Sequence, residues 1–186
     1  IQVTGALKTL TLGDYSGHAI SLGSRAATDK IGSLNSTVTL GNVANVDLTS
    51  AIPLTTLSVK KWLDDDADVD VITAPAIGTA LKSAGNFQAD LALSGVGVSA
   101  LANVLGATTI TGNLTQAAWN VVGKVSTVAV KGATDQFNIT GVTTATSFNL
   151  GDVGTANVTG TGLLGTVAGR TWAAGNIQAP RIGTLC

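Results

Sequence analysis

The side chains best suited to chemistry lie in one short acidic run. Asp64, Asp65, Asp66, Asp68 and Asp70 alternate with few other residues. Calcium prefers several hard oxygen ligands held close together, which such a run can supply. The EF-hand pattern is not met, because a valine stands where the turn glycine belongs and a proline where the closing glutamate belongs. We take Asp64, Asp66, Asp68 and Asp70 as a candidate calcium site, with a solvated acidic loop as the alternative.

Charge and composition argue against two classes of partner. The 186 residues carry ten basic and eleven acidic side chains, and 11% of the residues are charged. Nucleic acid requires a clustered basic face, so we expect no nucleic-acid binding. Mean hydropathy is +0.40, yet no uninterrupted apolar block reaches the length of a spanning helix. We therefore expect no membrane insertion.

Short strand-like units that end in glycine recur along the chain. They end at Gly13, Gly41, Gly112, Gly132 and Gly141, and each has alternating apolar and polar side chains. This period of two is typical of a strand with one buried face. The glycine supplies the backbone freedom that a corner needs. The elements that position any site are therefore predicted to be short strands.

The spacing of these units indicates how they are arranged. In one series, residues are 20 positions apart: Ile110, Val130 and Leu150. In the other series they are 19 positions apart: Ile139, Val158 and Ile177. Two interleaved series with nearly one period indicate stacked coils that each hold at least two strands. We predict an all-β fold, a right-handed parallel β-helix (β-solenoid) of about eight or nine coils. A lone coil buries too little apolar surface to offset its lost entropy, so stacking must stabilise it.

Asparagines accompany the second series. Asn138, Asn157 and Asn176 each precede one of its members and are also 19 residues apart. In stacked coils they would lie above one another and form a hydrogen-bonded ladder, at an inward or a corner position. The preference of asparagine for turns is the alternative explanation. We predict a structural ladder of these three residues.

The regular pattern breaks in two regions. The charged stretch over residues 60–70 predicts a loop that leaves the coil, and residues 1–35 are less regular and predict a wider coil. Only Ala74–Leu81 and Ser99–Leu105 could form a turn or two of helix, because glycine, threonine and valine disfavour longer helices. We treat 1–186 as a single β-solenoid domain.

Several segments resemble a known class of repeats. They are Val59-Lys-Lys-Trp-Leu-Asp-Asp-Asp, Ile72-Thr-Ala-Pro-Ala-Ile-Gly-Thr, Gly85-Asn-Phe-Gln-Ala-Asp-Leu-Ala-Leu-Ser-Gly and Arg181-Ile-Gly-Thr-Leu. From about residue 55 onward they resemble β-helical repeats of very large secreted surface proteins of environmental bacteria. The resemblance implies a right-handed β-helix that serves as a wall, filament or adhesion segment. It implies no catalytic residues.

Catalytic sets are incomplete in the sequence. The segment around His18 resembles the histidine segment of β-helical polygalacturonases, which also need paired aspartates for general acid/base work. Only Asp14 precedes His18. Lys60 and Lys61 beside the acidic run would suit a lyase of acidic sugars, but they share one loop with it. We predict no enzymatic activity and no cofactor, with calcium as the one possible exception.

Threonine pairs raise the question of ordered water. Thr9/Thr11, Thr37/Thr39 and Thr109/Thr111 would each present two hydroxyls on one side of a strand. One coil after the last pair, the equivalent positions are occupied by Ala129 and Lys131. We therefore expect no regular array on successive coils and no ice binding, since threonine also simply suits the outer face of a strand.

These observations lead to one main hypothesis and one alternative. The main hypothesis is a non-enzymatic structural or adhesive module of a secreted or cell-surface bacterial protein. It would assemble into a filament or surface layer by end-to-end stacking, with another copy or with further coils of the same polypeptide. The alternative is a carbohydrate-binding or carbohydrate-cleaving β-helix that recognises glycans with a calcium-assisted acidic loop. Tryptophans 62, 119 and 172 are expected to lie in the core or half-buried rather than to form sugar platforms.

Overall fold

The computed structural model describes residues 1–5, 7–23 and 36–186. These residues form 19 strands and no helix. In chain order the strands are β1 (Gln2–Val3), β2 (Thr9–Thr11), β3 (Tyr15–Ser16), β4 (Ile20–Leu22), β5 (Ser36–Ala44), β6 (Leu48–Ser50), β7 (Leu54–Leu63), β8 (Val71–Ala74), β9 (Ile77–Ser83), β10 (Asp90–Leu93), β11 (Leu105–Ile110), β12 (Leu114–Thr115), β13 (Ala118–Val130), β14 (Ala133–Asp135), β15 (Phe137–Asn149), β16 (Asp152–Gly160), β17 (Leu163–Ala168), β18 (Thr171–Gln178) and β19 (Arg181–Leu185).

The strands stack in parallel to form three faces. Face A contains β2, β9, β11, β17 and β19, face B contains β3, β12 and β14, and face C contains β1, β4, β6, β8 and β10. Strands β5, β7, β13, β15, β16 and β18 bend around a corner and contribute to two faces each. The fold is thus an all-β parallel β-solenoid of about nine turns, as predicted.

Three columns of inward side chains build the core. In each column, neighbours are register partners on successive coils. Face A contributes Leu10, Val38, Leu57, Leu81, Thr108, Val128, Phe148, Val167 and Leu185. Face B contributes Tyr15, Val43, Trp62, Phe87, Leu114, Thr134, Val153 and Trp172. Face C contributes Ile20, Leu48, Ile72, Leu91, Trp119, Ile139, Val158 and Ile177.

These columns explain the two periods in the sequence. Ile139, Val158 and Ile177 are successive members of the face C column, and Ile110 pairs with Val130 on face A. Residues that are one coil apart therefore become vertical neighbours, as the spacing predicts. Between the two ends of the stack, solvent is excluded because each inward side chain is covered above and below by another.

Aromatic side chains form a continuous stack inside the solenoid. Trp62, Phe87, Trp119 and Phe137 follow one another edge to face, with ring centroids 6.1, 6.1 and 5.0 Å apart. Such edge-to-face pairs stabilise a core beyond the burial of their area. The core interpretation of Trp62 and Trp119 is thus confirmed, and Trp172 is half-buried.

Three local expectations need correction or limits. Residues 60–63 continue strand β7, so the acidic loop begins at Asp64 rather than at residue 60. The prediction of two short helices is wrong. Strand β9 occupies most of Ala74–Leu81, and residues 99–104 form turns and bends before β11 begins at Leu105. The wider N-terminal coil lies partly outside the described residues, since 24–35 are not among them.

A second excursion leaves the coil between β10 and β11. It spans residues 94–104 and exposes Val96 and Leu101.

No helix in the described part of the chain has the length and apolar character needed to cross a bilayer.

A buried hydroxyl in the face A column leads to the first prediction. The hydroxyl of Thr108 is buried and has no hydrogen-bond partner, whereas Thr134 Oγ1 donates to the Leu150 carbonyl at 2.6 Å. Thr108→Val should raise the free energy of unfolding by about 1 kcal/mol, because it removes an unsatisfied polar group. Thr134→Val should lower it by about 1 kcal/mol or more, because it leaves the carbonyl without its donor.

Urea denaturation of both variants and the wild type measures these effects. Equal losses of stability in Thr108→Val and Thr134→Val would contradict the assignment of an unpartnered hydroxyl to Thr108.

Candidate functional site

The acidic loop is held by the coils on both sides of it. It begins after Leu63, where β7 ends, and returns to the coil at β8. The Asp65 amide donates to Asn45 Oδ1 at 3.1 Å, and the Asp64 amide donates to Gln88 Oε1 at 3.3 Å. Inside the loop the Asp68 amide donates to Asp66 Oδ1 at 3.0 Å, which is a local turn made by an aspartate.

Asp70 is a buried part of the core edge. Its side chain is only 4% exposed, and Trp62 Nε1 donates to its Oδ2 at 2.8 Å. Burial raises the pKa of Asp70 to about 6, and the nearby Asp64 carboxylate acts in the same direction, while the hydrogen bond from Trp62 opposes it. Asp70 therefore anchors the end of the loop to the aromatic stack.

The four predicted calcium ligands do not point to one centre. Asp70 is turned to Trp62, Asp66 and Asp68 are exposed, and Asp64 Oδ2 accepts the Asp70 amide at 3.4 Å. Across residues 1–5, 7–23 and 36–186, no group of three or more His, Cys, Asp or Glu side chains is arranged to hold a metal ion. Calcium binding by Asp64, Asp66, Asp68 and Asp70 stays an untested prediction.

A polar cleft of about 520 Å³ lies beside the loop. Asp64, Asp90 and Gln116 contribute to its lining, which contains no aromatic side chain. Burial raises the pKa of Asp90, although its Oδ1 accepts the Ala118 amide at 2.6 Å, and the Asp64 charge adds to the increase. The cleft can accept hydrogen bonds from hydroxyl groups, but it offers no surface on which a sugar ring could stack.

The predicted asparagines lie in one column. Asn138 pairs with Asn157, and Asn157 pairs with Asn176. Asn157 Oδ1 accepts the Asn176 amide at 3.0 Å and the Asn176 side-chain amide at 3.5 Å. The column faces outward rather than inward, because the neighbouring Ile139, Val158 and Ile177 point into the core.

The same column bonds in the same way in earlier coils. Asp47 Oδ1 accepts the Val71 amide at 2.9 Å, and Asp90 Oδ1 accepts the Ala118 amide. At three places in this column, a side-chain oxygen of one coil thus accepts a main-chain amide of the next, at the start of a face C strand. The ladder is a cap for backbone donors more than a chain of side-chain contacts.

A second ladder of this kind lies at the start of face B and was not predicted. Asp14 Oδ1 accepts the Asn42 amide at 2.8 Å, Asn86 Oδ1 the Asn113 amide at 3.0 Å, and Asn113 Oδ1 the Ala133 amide at 2.9 Å. The backbone hydrogen bond from Asn42 lowers the pKa of Asp14. The sequence signal is a Gly-Asx pair, which follows five of the face A strands: Gly13-Asp14, Gly41-Asn42, Gly85-Asn86, Gly112-Asn113 and Gly151-Asp152.

Glycine is required next to this second ladder. A Cβ on Gly112 would collide with Asn86 Oδ1 and with the Gly85 backbone, and one on Gly132 would collide with Asn113 Oδ1. The glycine therefore permits the close approach of successive coils at the corner.

The expectation that threonine pairs do not recur on successive coils is wrong for the first three coils, but it holds for the coils after them. Thr9 and Thr11 pair directly with Thr37 and Thr39, and these pair with Thr56 and Ser58. At the later pair the expected register is confirmed, because Thr109 pairs with Ala129 and the threonine pair is therefore not repeated one coil on. His18, by contrast, is an exposed side chain whose Nδ1 lies 3.2 Å from the Ser16 carbonyl.

Comparison with protein-family models, curated proteins and solved structures finds no match to this chain. The class that the structure defines is therefore that of the fold, a parallel β-solenoid with Asx-capped corners.

The buried carboxyl group leads to a prediction about pH. Because the pKa of Asp70 is raised, protonated Asp70 favours the folded state at low pH, and this contribution disappears as pH rises through about 6. Above that pH the ionised group costs up to about 3 kcal/mol. Asp70→Asn keeps an oxygen for Trp62 Nε1, so it should match the wild type near pH 4 and be more stable at pH 7.

Denaturation between pH 4 and pH 7 measures the difference between Asp70→Asn and the wild type. Asp68→Asn, an exposed loop position, is the control and should show no such trend. A difference for Asp70→Asn that does not change with pH would contradict the prediction.

The second ladder leads to a further prediction. Asn113→Ala removes the acceptor of the Ala133 amide and should lower the free energy of unfolding by about 1 kcal/mol. Asn113→Asp keeps a side-chain oxygen at that place and should stay close to the wild type. Thermal and urea denaturation compare the two, and equal losses would show that the oxygen does not matter.

Proposed function

We propose that this chain is a non-enzymatic structural module of a secreted or cell-surface bacterial protein, extended end to end by further coils. The observation that carries this proposal is the open C-terminal end of the solenoid. Among the described strands, β18 pairs only with β16 and β19 only with β17, so their outer edges carry amide and carbonyl groups without a described strand partner. Such edges accept another strand unless they are covered.

The inward side chains of this last coil support the same conclusion. Leu185 is 63% exposed and Ile182 is 37% exposed, whereas their partners Val167 and Leu164 in the coil below are fully buried. A covering coil, from the same polypeptide or from a second copy, would bury these side chains. Full burial of a large aliphatic side chain stabilises by roughly 1.5–3 kcal/mol.

The wider context of the proposal comes from the resemblance to repeats of secreted bacterial surface proteins. A rod with ladders at its corners and a dry core suits a load-bearing or spacing role. The described residues outside the acidic loop and cleft offer little concentrated charge, which agrees with a module that is built from stacking rather than from a reactive site.

Concentration-dependent assembly tests the proposal. The wild-type chain should form larger species as its concentration rises, and the double variant Ile182→Lys, Leu185→Lys should assemble far less, because two ammonium groups would have to be buried in a growing stack. Leu101→Lys changes an equally apolar, exposed side chain on the 94–104 excursion and should assemble like the wild type.

Sedimentation velocity and electron microscopy measure this behaviour. End-to-end rods of the solenoid's width are expected for the wild type. A wild-type chain that stays monomeric at high concentration, or equal effects of the two sets of variants, would overturn the end-to-end proposal.

The alternative is a carbohydrate-binding role for the cleft beside the acidic loop. Its carboxylate and amide groups favour it, and the missing aromatic platform counts against it. A glycan-binding screen with and without calcium distinguishes the two functions. Binding that is lost in Asp64→Asn or Asp90→Asn would support the cleft, whereas no binding and no calcium-dependent change in Tm would exclude it.

A further inference from the structure

The lysine and arginine side chains of the described residues all lie on one side of the solenoid. On face A itself are Lys82 and Arg181. The edge between faces A and B carries Lys60, Lys61, Lys131 and Arg170. The edge between faces C and A carries Lys8 and Lys124. We call face A and these two edges the basic side.

Most of the described carboxylate groups lie at the third edge, between faces B and C. Asp47 and Asp90 lie at the start of face C strands, and Asp135 lies at the end of a face B strand. The acidic loop over residues 64–70 joins the same two faces. We call these residues together the acidic edge. In a rod with three faces, the edge between faces B and C is opposite face A, so the charges are separated across the width of the molecule.

The other two described aspartates are compensated on the basic side. Asp152 Oδ2 accepts a hydrogen bond from Arg170 Nη2 at 2.7 Å, which is the one ion pair among residues 1–5, 7–23 and 36–186. Hydrogen bonds from Asn42 lower the pKa of Asp14, and the charges of Lys60 and Lys61 act in the same direction. The acidic edge has no such compensation from the described part of the chain.

The carboxylates of the acidic edge repel one another. Asp64 and Asp90 line the same cleft, and Asp65, Asp66 and Asp68 are exposed beside it. Burial raises the pKa of Asp90, and the Asp64 carboxylate adds to the increase, with no lysine or arginine acting against it. A surface that brings positive charges to this edge would relieve the repulsion.

A second copy of the chain carries the complementary surface at the matching height. Lys60 and Lys82 are exposed on β7 and β9, and the acidic loop follows β7. Two solenoids that lie side by side, with parallel axes and without an axial shift, bring these lysines level with the acidic loop of the neighbour. Nucleic acid is a poorer partner, because the basic residues are spread over many coils rather than clustered.

From this separation of charge, we propose that the solenoids associate side by side, with the acidic edge of one copy against the basic side of the next. Two different surfaces meet in this contact, so it is heterologous, and its repetition builds an open row of rods. Complementary charge also selects the orientation, because like surfaces repel. The inference is independent of end-to-end assembly, since it concerns the sides of the solenoid and not its ends.

Ionic strength tests the proposal. The Debye length falls from about 30 Å at 0.01 M salt to about 3 Å at 1 M, so salt screens contacts between exposed charges. At about pH 8, where histidine is uncharged, the wild type should form side-by-side assemblies at low salt that separate at high salt. End-to-end contacts bury apolar side chains, and salt should not separate them. Sedimentation velocity and electron microscopy distinguish rows of parallel rods from single, longer rods.

Charge-reversal variants test the two surfaces directly. The first double variant is Lys60→Glu, Lys82→Glu, and the second is Asp65→Lys, Asp68→Lys. Each alone should need an about tenfold higher concentration for side-by-side assembly, because like charges then face each other. An equimolar mixture should assemble nearly as the wild type does, because the reversed surface of one variant meets the reversed surface of the other.

A control separates this effect from a change in net charge. Thr49→Glu, Thr73→Glu adds two carboxylates at exposed, outward positions of face C, outside both surfaces, and should assemble side by side as the wild type does. Circular dichroism checks that every variant keeps the strand signal of the wild type.

Four results would overturn the proposal. They are a folded wild-type chain that stays dispersed at low salt, side-by-side assembly that resists high salt, a mixture that assembles no better than either charge-reversal variant alone, and an equal loss in the control. Binding of heparin that is lost in Lys60→Glu, Lys82→Glu, without side-by-side assembly of the wild type, would assign the basic side to an acidic polymer instead.

Discussion

The structure depends on the parallel, in-register stacking of successive coils. A single coil would expose its apolar side chains to water and would leave the amide and carbonyl groups along its two edges unpaired within the protein. Stacking buries the side chains and pairs the backbone groups at the same time. Ile139, for example, lies between Trp119 and Val158, and the strands of these three residues are hydrogen-bonded to each other. Every other feature, from the aromatic stack to the outward columns, follows from this vertical alignment.

Corners are where such a stack would fail, because strands end there and leave amides unpaired. The protein solves this with side-chain oxygens of Asp and Asn, as between Asn113 and Ala133 or between Asp47 and Val71. Glycines such as Gly132 keep the space that the approach needs. The same vertical order that buries apolar side chains inside presents polar ones outside in rows.

Much of this could be predicted from particular residues. The 19-residue spacing of Ile139, Val158 and Ile177 was sufficient to predict the solenoid, and that of Asn138, Asn157 and Asn176 predicted their shared column. The position of the acidic loop was predicted from the sequence, but the burial of Asp70 was not. Asp70 is buried against Trp62 by contacts that residue spacing does not reveal. The second ladder was overlooked, although its Gly-Asx pairs are visible in the sequence.

The sequence by itself determined the strand alternation, the coil length and thereby the class of fold, because these depend on the periodicity of side chains along the chain. Only the tertiary structure decided which outward threonines share a column and which carboxyl group is buried. These depend on the vertical register between coils of unequal length, such as those interrupted by the 64–70 and 94–104 excursions. Only the backbone hydrogen bonds between coils define that register, as where Leu81 of β9 pairs with Thr108 of β11 across the 94–104 excursion.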